Sequence, residues 1–142
     1  STVPLLVSFM SMLTGTGGNC GSQSSTMVIQ GMAMEEIRLK DFFRVVFKEF
    51  RIALICSVIL AAVNFVRIIF MYQNVKIAAI VSITLIGTVI LSKLLGCMLP
   101  MLAKKIHIDP AIMSAPLLST LVDSCSTLLY FTIAMKILNV AV

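Results

Sequence analysis

Three long apolar stretches constrain the fold of this chain more than any other feature. Residues 52–71, 77–103 and 110–138 each reach the roughly 20 mostly apolar residues that a membrane-spanning helix needs. The whole chain is 59% apolar and 12% charged, with a mean hydropathy of +1.07, whereas a soluble domain is about 45–50% apolar and about 25% charged. The sequence therefore predicts an all-α, polytopic helix bundle in a lipid bilayer.

A fourth candidate span, residues 1–34, is interrupted by the polar run "TGTGGNCGSQSST" at 14–26. A straight helix of this length would reach roughly 50 Å, which exceeds the hydrocarbon core of a bilayer. We therefore expect it to tilt, kink or break, and the glycines favour a break within the run. The prediction is about four transmembrane helices.

Residues 35–51, "EEIRLKDFFRVVFKEFR", differ from these stretches because their charges and apolar side chains alternate. At helical spacing the apolar face holds Leu39, Phe43, Val46, Phe47 and Phe50. The opposite face holds Arg38, Asp41, Lys48 and Glu49. This pattern predicts an amphipathic helix in the membrane interface, with a plain solvated connector as the alternative.

The distribution of lysine and arginine along the chain predicts the orientation of the bundle in the membrane. Seven of them lie in 35–51 and 104–109, whereas the short loop on the opposite side holds only Lys76. The positive-inside rule then places 35–51 and 104–109 in the cytoplasm of a multi-pass protein of the cell membrane. Both ends of the chain would lie outside, so we expect a further span ahead of residue 1. Because the basic residues fall between spans, a nucleic-acid partner is not expected.

Asp123 is an acidic residue deep within a predicted span. An aspartate there costs about 2.5–3.5 kcal/mol on insertion scales, so such residues usually face a bundle interior or an aqueous path. Its helical face also carries Pro116, Ser119, Thr120, Ser126, Thr127 and Tyr130, with Asp109 near the cytoplasmic end. A cation path is favoured over hydrogen bonds between helices and over an ion pair with Lys93. Pro116 should bend the helix by freeing the carbonyl of Ile112.

The polar run can be interpreted in the same way. Around Asn19 one face carries Thr16, Gln23, Thr26 and Gln30. Gly17 and Gly21 lie on the back, where another helix could approach closely. Two polar stripes could thus line one path, and their oxygens suit Mg²⁺, Ca²⁺ or Mn²⁺. Mg²⁺ would pass largely hydrated, although spacing alone does not distinguish Mg²⁺ from Ca²⁺.

Catalytic function is not indicated. The glycine-rich run lacks a following G-K-[ST], and Cys20 stands where a dinucleotide fingerprint needs its last glycine. An intramembrane enzyme using Asp123 would need a second acid or base at the same depth, and His107 lies in a loop. We therefore predict a protein that is not an enzyme. A subunit whose polar stripes only hold helices together stays as an alternative.

Two motifs carry a resemblance to a known family. "PLLVSFMSMLTGTGGNCGSQSSTMVIQGMA" resembles the second transmembrane helix of the MgtE family of magnesium channels, with its P…GGN-x-G-x-Q pattern. "IDPAIMSAPLLSTLVDSCS" resembles the fifth helix, with DPA…P-L…T-x-x-D, and "LLGCMLPMLAKK" resembles the end of the fourth. The resemblance covers essentially the whole chain in the right order.

This resemblance implies a homodimer with a Mg²⁺-selective pore on its two-fold axis, lined by 1–34 and 110–138. By residue-by-residue correspondence, Asp123 would be the main ion ligand, together with the backbone oxygen of Ser119. Asn19 would face the pore, and Asp109 would lie at its cytoplasmic mouth. The polar stripes add Thr16, Gln23, Thr26, Pro116, Thr120 and Thr127 as pore-lining residues. A broader divalent cation carrier or exchanger, with saturable and coupled flux, is the alternative.

Overall fold

The computed structural model describes residues 2–113 and 115–139, and every regular element in these ranges is helical. Two short 3₁₀ turns, Leu39–Asp41 and Pro110–Met113, precede the second and fourth long helices. The long helices are α1 (Thr2–Ala33), α2 (Phe42–Tyr72), α3 (Val75–Lys105) and α4 (Ala115–Leu138). By length and composition three of them, α2, α3 and α4, could cross a membrane. The predicted all-α membrane helix bundle is confirmed.

Successive helices run antiparallel, and α3 lies at the centre, in contact with the other three. Ser82 of α3 donates a hydrogen bond to the carbonyl of Ala61 in α2 at 3.3 Å. The hydroxyl of Tyr130 in α4 donates to the carbonyl of Leu6 in α1 at 2.6 Å. Two apolar clusters fill the bundle, one at each end. The first contains Leu13, Ile68, Ile77, Val81 and Leu85, and the second contains Val28, Met32, Cys97 and Met101.

The expected break in the glycine-rich run does not form. Residues 14–26 are helical throughout α1, and none of the described glycines has a positive φ. The glycines instead allow close packing. A Cβ at Gly17 would come within 2.8 Å of the Thr88 side chain, and one at Gly21 within 2.7 Å of Ser92 Oγ. The predicted close approach of another helix to this back face is confirmed: α3 packs there, and Leu118 and Val122 of α4 approach it as well.

The predicted interfacial helix over 35–51 is also wrong in its bounds. Residues 42–51 are the first turns of α2, which continues unbroken to Tyr72, so this span begins earlier than the predicted 52–71. Neither glycine nor proline interrupts this stretch, and α2 ends only where Gln73 adopts a φ of 49°. A 31-residue helix is about 46 Å long, so it extends beyond a hydrocarbon core of about 30 Å.

The fourth helix begins later than its predicted start at residue 110. Residues Pro110–Met113 form a 3₁₀ turn, and Asp109 Oδ1 accepts a hydrogen bond from the Ala111 N–H at 3.0 Å within that segment. Pro116 consequently lies in the first turn of α4, where a helix has no acceptor for the missing N–H. The bend that we expected at Pro116 therefore does not arise inside α4.

Candidate ion-binding groove

A polar groove runs between α1 and α4 on the surface of the bundle. Its volume is about 340 Å³. Its walls are Ser11, Thr14, Gly15, Gly18, Asn19 and Ser22 from α1, with Ser119 and Asp123 from α4. These side chains supply hydroxyl, amide and carboxylate oxygens, and no basic side chain belongs to this lining. The groove therefore carries a single negative charge, which suits a cation.

Small residues on two faces of α1 position this groove. Gly17 and Gly21 let α1 press against its neighbours in the bundle, and this contact fixes which face turns outward. A Cβ at Gly15 would meet nothing within 4 Å, so this side of α1 is open. A Cβ at Gly18 would lie 3.8 Å from Ser119 Oγ, across the groove. Because these two glycines have no side chain, there is room for a ligand between Asn19 and the α4 wall.

The α4 wall follows from the helical repeat. Leu118 and Val122 are fully buried, and both pack against glycines of α1. Ser119 and Asp123 each follow one residue later, about 100° around the helix, and so they face the groove. Asp123 is exposed on this single chain. Its carboxylate is therefore accessible from the groove, as the cation-path interpretation requires.

Lys93, the partner considered for Asp123, pairs with a different carboxylate. Its Nζ lies 3.4 Å from Glu49 Oε2 and 3.3 Å from Ser24 Oγ. Ser24 Oγ in turn donates to Glu49 Oε2 at 2.6 Å. Among the described residues Asp123 takes part in no ion pair. The carboxylate of the groove is thus left for a ligand.

The burial of Glu49 corrects its predicted place on a solvated face. Glu49 is only 4% exposed and Lys93 only 7%, and with Ser24 they join α1, α2 and α3. The signal for this lies in the sequence: Glu49, Ala53, Ser57 and Ala61 recur every four residues, and all four are buried. Small residues at this spacing mark a face that packs against another helix. A helical wheel that stops at residue 51 does not reveal this period.

The remaining predicted residues fall outside the groove lining. Gln23 and Thr26 line a neighbouring shallow groove together with Ser22 and Met27. Thr16 and Thr127 are half-buried, whereas Pro116, Thr120 and Asp109 are exposed. Ser126 and Tyr130, assigned to the stripe of Asp123, are buried in the bundle. Asn19, Ser119 and Asp123 are the predicted site residues that the structure brings together.

Sequence reasoning missed Ser11, Thr14 and Ser22 as groove residues. The polar neighbours placed on the face of Asn19 include Gln23 and Thr26, which line the neighbouring groove instead. The face that lines the groove is the one marked by Gly15 and Gly18. The glycines next to Asn19 in the sequence were therefore a better indication of which side of α1 lines the groove.

The donor set indicates how a cation would be held. In residues 2–113 and 115–139 no group of three or more His, Cys, Asp or Glu side chains could form a metal cage. The groove offers one carboxylate with neutral oxygens, which are hard ligands suited to Mg²⁺, Ca²⁺ or Mn²⁺. A single carboxylate favours an ion that keeps much of its water, as Mg²⁺ does.

The chain is similar to known proteins named as transporters. The model of the MgtE family, described as a divalent cation transporter, matches residues 10–133. A magnesium transporter MgtE of Bacillus subtilis (strain 168) is 39% identical over 136 residues, which cover 93% of this chain and 29% of that protein. The magnesium transporter MgtE of Thermus thermophilus is 33% identical over 137 residues, which cover 96% of this chain and 30% of that protein.

The magnesium transporter MgtE of Enterococcus faecalis is 29% identical over 134 residues, which cover 94% of this chain and 30% of that protein. The chain thus spans about 30% of the length of these curated relatives. The family match extends through all four long helices and includes Asn19, Ser119 and Asp123. The chain belongs to the MgtE family.

Proposed function

We propose that this chain conducts Mg²⁺ across the cell membrane along the groove between α1 and α4, with Asp123 as the main ion ligand. The observation that carries the proposal is the exposed carboxylate of Asp123 in a polar groove that it shares with Asn19. A charge within an apolar helix is costly unless it faces water or a partner, and an ion path provides both.

The proposed assembly is a homodimer. The groove of one chain is open along its length, so a second copy related by a two-fold axis would close it into a pore. Two Asp123 carboxylates would then face each other, and they would repel each other when the pore is empty. A divalent cation between them removes that repulsion, which favours Mg²⁺ over a monovalent ion.

The proposed path continues from the groove toward the end of the bundle that contains 35–51 and 104–109. Gln23 and Thr26 on α1, and Pro116 and Thr120 on α4, lie nearer that end than Asn19 and Asp123. Asp109 would stand at the mouth, on the cytoplasmic side by the positive-inside rule. Carboxylate and neutral oxygens along this path would contact the water shell of the ion.

A broader divalent cation carrier or exchanger is the second candidate. It is favoured by the description of the family, which names divalent cations in general. It differs in kinetics, because a carrier saturates and couples its flux to a second ion, whereas a channel follows the electrochemical gradient. Saturation of Mg²⁺ uptake with rising Mg²⁺ concentration, and its dependence on a gradient of a second ion, would separate the two.

The test is Mg²⁺ flux into liposomes that contain the chain, monitored with an entrapped Mg²⁺-sensitive dye. We expect Asp123→Ala to lower the flux about tenfold or more, because it removes a charged contact worth about 1.5–3 kcal/mol. Ser124→Ala is the matched control, since Ser124 is exposed next to Asp123 and outside the groove lining. Equal flux through the parent and Asp123→Ala, or no flux through the parent, would refute the proposal.

A further inference from the structure

A second cleft lies at the end of the bundle where the basic residues gather, away from the polar groove. It forms where the 3₁₀ turn Leu39–Asp41, the start of α2 and the end of α3 meet, and its volume is about 540 Å³. Its lining consists of Leu39, Lys40, Phe42, Phe43, Met101, Leu102 and Lys105. We name this feature the basic cleft.

The basic cleft has an apolar floor and a positively charged rim. Met101 is buried, and Phe42 packs against the same apolar cluster. The ring of Phe43 stands nearly perpendicular to that of Phe42, at 86° with centroids 5.4 Å apart, and it is 82% exposed. Lys40 and Lys105 are both exposed. An apolar wall that ends in two ammonium groups matches an amphiphile with an anionic head.

The neighbouring cleft shows that this charge pattern is local. That cleft lies on the other side of the start of α2 and includes Glu36, Asp41 and Glu49 together with Arg44 and Lys48. Glu36 and Asp41 there balance the two basic side chains, whereas Glu49 pairs with Lys93. In the basic cleft no acidic side chain belongs to the lining, so Lys40 and Lys105 face it without a counterion from the described part of the chain.

The position of the basic cleft identifies the kind of amphiphile. Helices α2 and α3, at 31 residues each, are about 46 Å long and extend beyond a hydrocarbon core of about 30 Å. The cleft lies at their ends, which in a bilayer would reach the depth of the lipid headgroups. We infer that the basic cleft binds an anionic phospholipid, whose phosphate lies between Lys40 and Lys105 and whose first acyl segment follows Phe43 and Leu102.

The inference does not depend on ion conduction and can be tested by binding alone. The chain, purified in detergent, is titrated with dioleoylphosphatidylglycerol, and bound lipid is counted by native mass spectrometry, with dioleoylphosphatidylcholine as the neutral lipid. We expect tighter binding of the anionic lipid. Lys40→Gln combined with Lys105→Gln should weaken it roughly 30-fold, about fivefold for each lysine.

The matched control combines Lys48→Gln with Lys104→Gln, which removes the same charge from exposed lysines outside the basic cleft. This control should bind the lipid as tightly as the parent, and helical circular dichroism should show that both variants are folded. Equal loss in both double variants would mean general attraction to charge and would overturn the inference. Unchanged binding in the Lys40/Lys105 variant, or competition by water-soluble glycerol phosphate, would overturn it as well.

Discussion

At the scale of single residues, we expect the buried ion pair between Glu49 and Lys93 to respond strongly to substitution. Each charge is held away from water and satisfied by the other and by Ser24. Removing one member leaves the other buried without a partner, which commonly costs more than the pair itself contributes. Replacing one member of the pair should therefore lower the stability of the fold much more than replacing both members together.

We expect Glu49→Gln to lower the free energy of unfolding by about 3–5 kcal/mol, because it leaves the Lys93 ammonium buried and uncompensated. Combining Glu49→Gln with Lys93→Met should recover most of this loss. Urea unfolding in detergent micelles, followed by circular dichroism, measures both. Glu36→Gln is the control, since Glu36 is exposed. A double variant as unstable as the single one would argue against the ion pair as the cause.

Single residues also show which parts of the candidate site and its surroundings were predictable from the sequence. Asp123 was identifiable because a carboxylate within an apolar helix is costly and therefore informative by itself. The Glu49–Lys93 pair was not found, since its members lie 44 positions apart on different helices. Glu49 also stands among charged neighbours that are exposed, so its burial depends on the packing face of α2. A wheel confined to 35–51 does not contain that information.

At the scale of helices, the close contact between α1 and α3 depends on glycines, which have no side chain. A Cβ added to Gly96 would run into the backbone of Gly21. Ser92 of α3 also donates a hydrogen bond to the carbonyl of Gly17. Such small-residue contacts are typical of tightly packed transmembrane helices. They explain why α1 passes through its glycines without a break.

We expect Gly96→Ala to destabilise the chain by about 1–3 kcal/mol, as overpacking of a filled contact does. Gly15→Ala makes the same chemical change in open space, and it should leave stability unchanged or raise it by up to about 1 kcal/mol through helix propensity. Thermal unfolding of the two variants in one detergent gives the comparison. Similar melting temperatures for both would show that the α1–α3 contact tolerates a methyl group.

Helix ends were less predictable than helix existence. Hydropathy identified α2 and α3, but it began α2 too late because the first turns of that helix carry charges that lie outside a bilayer core. It began α4 too early because 110–113 are apolar yet form a 3₁₀ turn. Pro116 was interpreted as a bend, although a proline is equally suited to a first turn. Apolar content alone does not separate these cases.

At the scale of the whole molecule, the antiparallel order places the α1–α2 and α3–α4 connections at one end and the α2–α3 loop at the other. The lysines and arginines of 35–51 and 104–109 therefore share one end. The charge difference across the bundle is a property of the folded arrangement, and it supports the proposed orientation with this end in the cytoplasm.

Thiol labelling tests this orientation. In a chain whose four free cysteines, Cys20, Cys56, Cys97 and Cys125, are replaced by alanine, single cysteines are introduced by Lys76→Cys or Lys104→Cys. Both positions are exposed. A membrane-impermeant maleimide should label position 76 in intact cells and position 104 only after permeabilisation. The reverse pattern would invert the proposed orientation, and Mg²⁺ uptake in the same cells shows that the protein is inserted.

The two walls of the polar groove are held in place by different contacts. The α1 wall rests on α3 through backbone contacts at Gly17 and Gly21. The α4 wall meets α1 through the side chains of Leu118 and Val122, and it is tethered by Tyr130 to the Leu6 carbonyl.

Moving α4 away from α1 would therefore pull the buried side chains of Leu118 and Val122 out of their contacts at Gly17 and Gly21. Each of these two side chains directly precedes a residue of the groove wall, Ser119 or Asp123. The packing that sets the width of the groove thus also sets the position of its carboxylate.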